Sequence, residues 1–154
     1  MPTSKQIRDA IAATMNTVAG IGIVHTYERY AKETADFKTL FVTAGALKGW
    51  TIRRTVRREI SPVRGRNNIE NIWAIRGFMG FDDANASEEA FDALIEDVAD
   101  AFRADETLGG LVASTVVDGL AGIQLDESAP VMFAGVLCHS ARLRLGTRHY
   151  LGEA

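Results

Sequence analysis

Ile69-Glu-Asn-Ile-Trp-Ala-Ile-Arg-Gly-Phe-Met-Gly-Phe81, followed by Asp82-Asp-Ala-Asn-Ala-Ser87 and then the run Glu88 to Arg103, decides the fold. The first piece is dense in β-branched and aromatic residues and reads as a long strand. The second is a turn-rich joint. In the third, Phe91, Leu94, Ile95, Val98 and Phe102 recur at helical spacing, and Asp92, Glu96, Asp97, Asp100 and Arg103 cover the rest. Ser87 is the expected cap of that helix, and Glu88 and Glu89 suit its positive end.

On the N-terminal side, Thr3 or Ser4 can cap a helix running to Val18, with Ile7, Ala10, Ile11 and Met15 on one stripe. Ala19-Gly20-Ile21-Gly22 ends it, and Ile23–Tyr27 reads as a short strand. A second short helix is expected after Thr34, containing Phe37, Leu40 and Phe41, with Gly45 past its end. Lys48 opens a long strand. Simple alternation puts Ile52, Val56 and Ile60 on one face with Arg54 and Arg58. Thr51, Arg53, Thr55, Arg57 and Glu59 fall on the other. Pro62 to Asn68 is a polar loop, so this strand and the next should form a projecting β-hairpin.

On the C-terminal side, Leu111–Val117 is a strand candidate, with a weaker one between Asp118 and Ser128. Val131–Leu145 reads as one long strand. Val131, Phe133, Leu137, Ala141, Leu143 and Leu145 line its apolar face, and Arg142 and Arg144 leave the other. Gly146–Ala154 looks like a tail. The element order predicts an α+β domain over 1–154, with a largely antiparallel sheet and helices on one face. Trp73, Ile75, Phe91, Leu94, Ile95, Val98, Phe102, Phe133, Leu137 and Leu143 are the expected core, in one cluster.

Composition bounds the function without naming it. With 154 residues, 47% hydrophobic and 24% charged, the chain suits one globular domain. One cysteine, Cys138, permits no internal disulfide. No apolar run is long enough for a membrane-spanning helix, and the start of the chain lacks a signal-peptide pattern. A cytoplasm is the expected place of synthesis.

Chemistry-bearing patterns are sparse. Gly20-Ile-Gly22 follows a helix and precedes a strand, the reverse of a dinucleotide-binding order. His25, His139 and His149 are far apart and form no metal-ligand spacing. Cys138 and His139 are neighbours on a strand, so their side chains diverge. No catalytic, cofactor or metal residue is therefore assigned. The least ordinary feature is the basic run Lys48, Arg53, Arg54, Arg57, Arg58, Arg64 and Arg66, opposed there only by Glu59. It can be a solvated edge, a phosphate-binding surface, or a contact for an acidic partner, including the acidic helix of another copy. Arg53, Arg57, Arg64 and Arg66 are the expected contact residues on the basic side. Asp92, Glu96 and Asp100 are those on the acidic side. A nucleic-acid module is normally basic overall, whereas this chain carries a net charge of −3.

Several stretches together resemble the tail terminator (tail completion) proteins of long-tailed phages. They are Lys5-Gln-Ile-Arg-Asp-Ala-Ile-Ala12, Gly20-Ile-Gly-Ile-Val-His-Thr-Tyr-Glu-Arg-Tyr-Ala31, Gly49-Trp-Thr-Ile52, Trp73-Ala-Ile-Arg-Gly-Phe78, Ala90-Phe91 with Ile95–Gly110, and Phe133–Leu145. Order and spacing carry the resemblance, which spans nearly the whole chain. It implies a structural virion protein, not an enzyme and without a cofactor. It also implies a ring, typically hexameric, that caps the tail tube protein, ends tube growth and meets the head–tail connector. DNA would pass through the lumen without sequence-specific binding. The place implied is the head–tail junction of the virion, after synthesis in the bacterial cytoplasm. Another head–tail joining protein and a small nucleic-acid-binding module are the alternatives.

Overall fold

The computed structural model describes residues 1–29, 36, 39–43, 45–133 and 135–151. The elements are α1 (Ser4–Asn16), β1 (Ile23–His25), β2 (Val42–Thr43), β3 (Ala46–Val63), β4 (Arg66–Gly80), α2 (Ser87–Ala104), β5 (Val116–Val117), β6 (Leu120–Ala121), β7 (Ile123–Phe133) and β8 (Val136–Tyr150). The strand order β1-β3-β4-β8-β7 is antiparallel except for the parallel pair β1–β3. Both helices pack on one face. The fold is thus α+β with a largely antiparallel mixed sheet, as the element order predicts. The short helix expected after Thr34 lies mostly outside the described residues; Asp36 and Thr39 are helical, and Leu40 and Phe41 are in the turn that follows.

Local chemistry sets the helix ends. Thr3 Oγ1 accepts from the Gln6 amide at 3.2 Å, and Gln6 Oε1 accepts from the Thr3 amide at 2.8 Å, so α1 begins in a capping box. The start of α2 differs from expectation: Ala86, at φ 53°, is the cap residue, and Ser87 is already helical. The Ser87 hydroxyl instead accepts from the Asp82 amide at 2.9 Å and bonds His139 at 2.8 Å.

The main core lies between helices and sheet. Ile7, Ile11 and Met15 of α1, Phe91, Val98 and Phe102 of α2, and Trp50, Ile52, Trp73, Ile75, Leu143 and Leu145 of the sheet are buried in it. Trp50 lies over Gly77, stacks on Phe91 at 6.0 Å and donates its indole N–H to Ile21 O at 2.8 Å. A second, smaller core covers one end of the opposite face, where Phe41, Leu47, Phe78, Phe133 and Cys138 cluster. Phe133 is therefore buried, but not in the main cluster. Leu137 is 51% exposed, because it falls past the end of the helical layer.

Three further expectations are corrected. Val131–Leu145 is not one strand: β7 and β8 form a hairpin in which Phe133 pairs with Val136. Of the expected tail Gly146–Ala154, residues 146–150 instead complete β8, with Thr147 and His149 buried, and 152–154 lie outside the described residues. The Trp73 indole donates to Thr147 Oγ1 at 2.9 Å, which fixes this segment to the centre of the sheet. The alternation along β3 also breaks. A bulge at Thr55 shifts the register between Arg54↔Trp73 and Val56↔Ile72. Arg57 then stands opposite Asn71 on the helix-side face, and Arg58 opposite Glu70 on the outer face. Arg53 and Arg57 do not share a face. The hairpin does project, but only 61–67 extend past the last β4–β8 pair, Asn68↔Tyr150.

Packing at the centre predicts two destabilised variants. Phe102→Ala should cost about 3–5 kcal/mol by emptying an aromatic core site. Gly77→Ala should cost about 1–3 kcal/mol, because the added Cβ would fall 2.3 Å from the Trp50 ring. Urea unfolding measures both, and a loss below about 1 kcal/mol for either would contradict the packing.

Candidate subunit-contact faces

Side chains alternate across a strand, so a sheet with helices on one face leaves the other to polar residues. Here that outer face is rich in arginine. Arg53 and Arg58 reach it from β3, Arg76 from β4, and Arg142, Arg144 and Arg148 from β8, as the pairings Arg53↔Ala74↔Arg144 and Thr51↔Arg76↔Arg142 require. A groove of about 400 Å³ runs over Ala74 and is lined by Arg53, Arg76, Arg142, Arg144, Glu28 and Asp126.

Weak ion pairs edge the groove. Arg53 meets Glu28 at 3.3 Å, Arg144 meets Asp126 at 3.2 Å, and Arg142 meets Glu127 at 3.8 Å. All three are largely solvated, so each contributes roughly 0–1 kcal/mol. Arg76 has no carboxylate partner among the described residues. It lies over the Phe78 ring at 4.9 Å, with Nε buried and unpartnered. Arg76 stands directly opposite Arg142, a like-charge cross-strand pair that opposes folding. Arg58 has a structural task instead. It meets Asp118 at 2.8 Å and Glu70 at 3.6 Å, holding the β5–β6 turn over Gly146. Asp118 most of all keeps its guanidinium charged.

The opposite side of the molecule is acidic. Glu88, Glu89, Asp92, Glu96, Asp97 and Asp100 are all exposed along α2, whose one basic residue, Arg103, pairs with Asp100.

The expected contact residues are thus divided. Asp92, Glu96 and Asp100 lie together on α2. Arg53 is on the outer face, Arg57 on the helix-side face, and Arg64 and Arg66 at the exposed hairpin tip. Arg76 was missed as a site residue, although Trp73 and Ile75 fix the inward parity of β4 and so send residue 76 outward. Arg142 and Arg144 were placed on their face but given no role.

Cys138 and His139 do diverge. Cys138 is buried in the second core, and burial pushes its thiol upward, partly offset by Arg76. His139 is buried on the helix side against Ser87, Phe91 and Phe81. Among the described residues, no group of His, Cys, Asp and Glu is arranged to hold a metal ion. No described helix is long and apolar enough to cross a membrane.

His149 gives a pH prediction. Burial first, then Arg57 and the N-terminal amine, lower its pKa below the ordinary value. The folded state therefore disfavours the imidazolium, and stability from this group is complete above the unfolded pKa of about 6.5. It is lost as pH falls through the lower folded value. Asp105 is different: bonds from Gly109 N first, then Thr107, lower its carboxyl pKa, so its contribution fails below about pH 4. His149→Asn should flatten the fall in stability that begins below about pH 6.5, read by denaturant midpoints, without changing the loss below about pH 4. An unchanged midpoint profile would contradict the buried neutral imidazole.

No family model matches the chain, and no curated protein matches its sequence.

Proposed function

We propose that the protein is a phage tail terminator, acting as a hexameric ring that caps the tail tube, ends its polymerisation and presents its far side to the head connector. One observation carries this reading: an arginine face and an acidic face lie on opposite sides of one small domain. Identical subunits joined head to tail need two different, complementary surfaces, and such heterologous contacts make a ring where the rotation between subunits closes. The sequence resemblance supplies the setting, a virion at the head–tail junction. The exposed apolar residues Phe81, Met132 and Leu137, at the sheet end opposite the arginine hairpin, offer a surface for tube or connector. DNA passes the ring without base readout. Acids interleaved with the arginines favour protein contact over phosphate contact on the outer face.

The test is deletion of the gene from its phage or prophage, with particles imaged by electron microscopy. Tails of uncontrolled length, or tails without heads, are expected. Normal joined particles would overturn the reading.

A further inference from the structure

We propose that the arginine groove on the outer sheet face receives the exposed acidic face of α2 from a second copy of this chain. The proposal deepens the ring reading and rests on it, since it names the two surfaces that meet.

Spacing fits as well as sign. Asp92, Glu96 and Asp100 recur every four residues, about 6 Å of helix rise per step. Arg142 and Arg144 lie two residues apart on a strand, about 6.6 Å, and Arg76 stands beside Arg142 on the next strand. Successive carboxylates along one helix line can therefore meet successive guanidiniums along one strand. A helix also suits the shape. The groove is open above Ala74, where the outer face carries a small side chain, and is flanked by the Phe41 cluster at one end and the β5–β6 turn at the other. Arginine forks onto carboxylates with two parallel hydrogen bonds, and lysine does not. The groove holds four arginines and no lysine.

The unpaired state of Arg76 supports an incoming anion. A cation opposite another cation, without a carboxylate partner among the described residues, gains more from an incoming carboxylate than the rim arginines do. The rim arginines already share Glu28, Asp126 and Glu127.

The experiment uses full-length chain with two double variants, Arg142→Glu/Arg144→Glu and Asp92→Lys/Glu96→Lys. Native mass spectrometry and sedimentation read assembly in solution, and electron microscopy reads it on tail tubes. Circular dichroism and melting confirm that each variant is folded. Because the two variants alter opposite faces, one that fails to fold leaves the other to decide. The wild type should assemble and weaken with salt. Each variant alone should weaken assembly by about 100-fold or more, since like charges then face each other. Mixing the two should restore an oligomer of alternating subunits, because the reversed helix now fits the reversed groove. Variants that assemble like the wild type overturn the groove–helix contact and leave the ring reading intact. A wild type that stays monomeric both in solution and on tubes overturns the ring reading and this contact together. Wild type that binds duplex DNA, with Arg142→Glu/Arg144→Glu losing the DNA but not the oligomer, assigns the groove to nucleic acid and overturns the proposal.

Discussion

The flat lie of Trp50 on Gly77 is the contact that the rest of the structure depends on. Only a residue without a side chain lets an indole sit on a central strand, since any Cβ there would fall within 2.3 Å of the ring. So placed, the ring joins four elements. Its N–H fixes the α1–β1 connection through Ile21 O, its face meets Phe91 of α2, and its backbone belongs to β3, against β4. Gly22 supports the same corner: a Cβ there would fall 2.4 Å from Lys48 O, and its φ of 84° suits glycine. That close approach allows β1 to add to β3 in parallel.

This arrangement fills the helix-side face and leaves the outer face free of folding demands between the small Phe41 cluster at one end and the β5–β6 turn over Gly146 at the other. Solubility there asks only for polar residues. Thr, Ser or alternating charges would serve, and would avoid placing Arg76 opposite Arg142. A like-charge pair in mid-sheet is a local conflict between folding and some other requirement, and such conflicts concentrate at functional surfaces. Two outer-face arginines show the contrast. Arg58 of β3 pairs with Asp118 and Glu70 and holds a turn in place, whereas Arg76 of β4 has no carboxylate partner among the described residues. Fold stability explains the first and not the second.

Periodicity made the layer architecture legible. Phe91, Leu94, Ile95, Val98 and Phe102 form the stripe that α2 buries, and Trp73, Ile75 and Leu143 lie beneath it. Alternation failed wherever one residue changed the parity. The extra residue Thr55 exchanged the faces of Arg57 and Arg58, and nothing in Arg-Arg-Thr-Val-Arg-Arg marks a bulge. The tight turn after Phe133 split one apparent strand into two, and Gly135, at φ 78°, was its signal in the sequence. The end of β8 was obscured by its own chemistry. Gly146, Thr147, Arg148 and His149 resemble a loop, yet Thr147 is buried because Trp73 supplies its hydrogen bond, and Gly146 is small because Val117 lies above it. Neither partner is near in sequence. Of the site, the acidic half was legible because it occupies one helix. The basic half was not, because its arginines come from three strands and converge only through pairing.

A contact built from solvated arginine–carboxylate pairs has a characteristic strength. Each exposed pair contributes roughly 0–1 kcal/mol, so one interface of three or four pairs falls well short of the roughly 8 kcal/mol of a micromolar complex. Two free subunits joined by such an interface alone would separate readily. In the proposed ring, a subunit adding to a partly built ring on a tube would gain a neighbour and the tube together, and the last one would gain two neighbours. Each added contact then forms at the high effective concentration set by those already made. Weak charged faces on a bipolar subunit therefore favour assembly on a template over assembly in free solution. On the proposed function such faces are useful: a ring that closed tightly on its own would form before there was a tube end to cap.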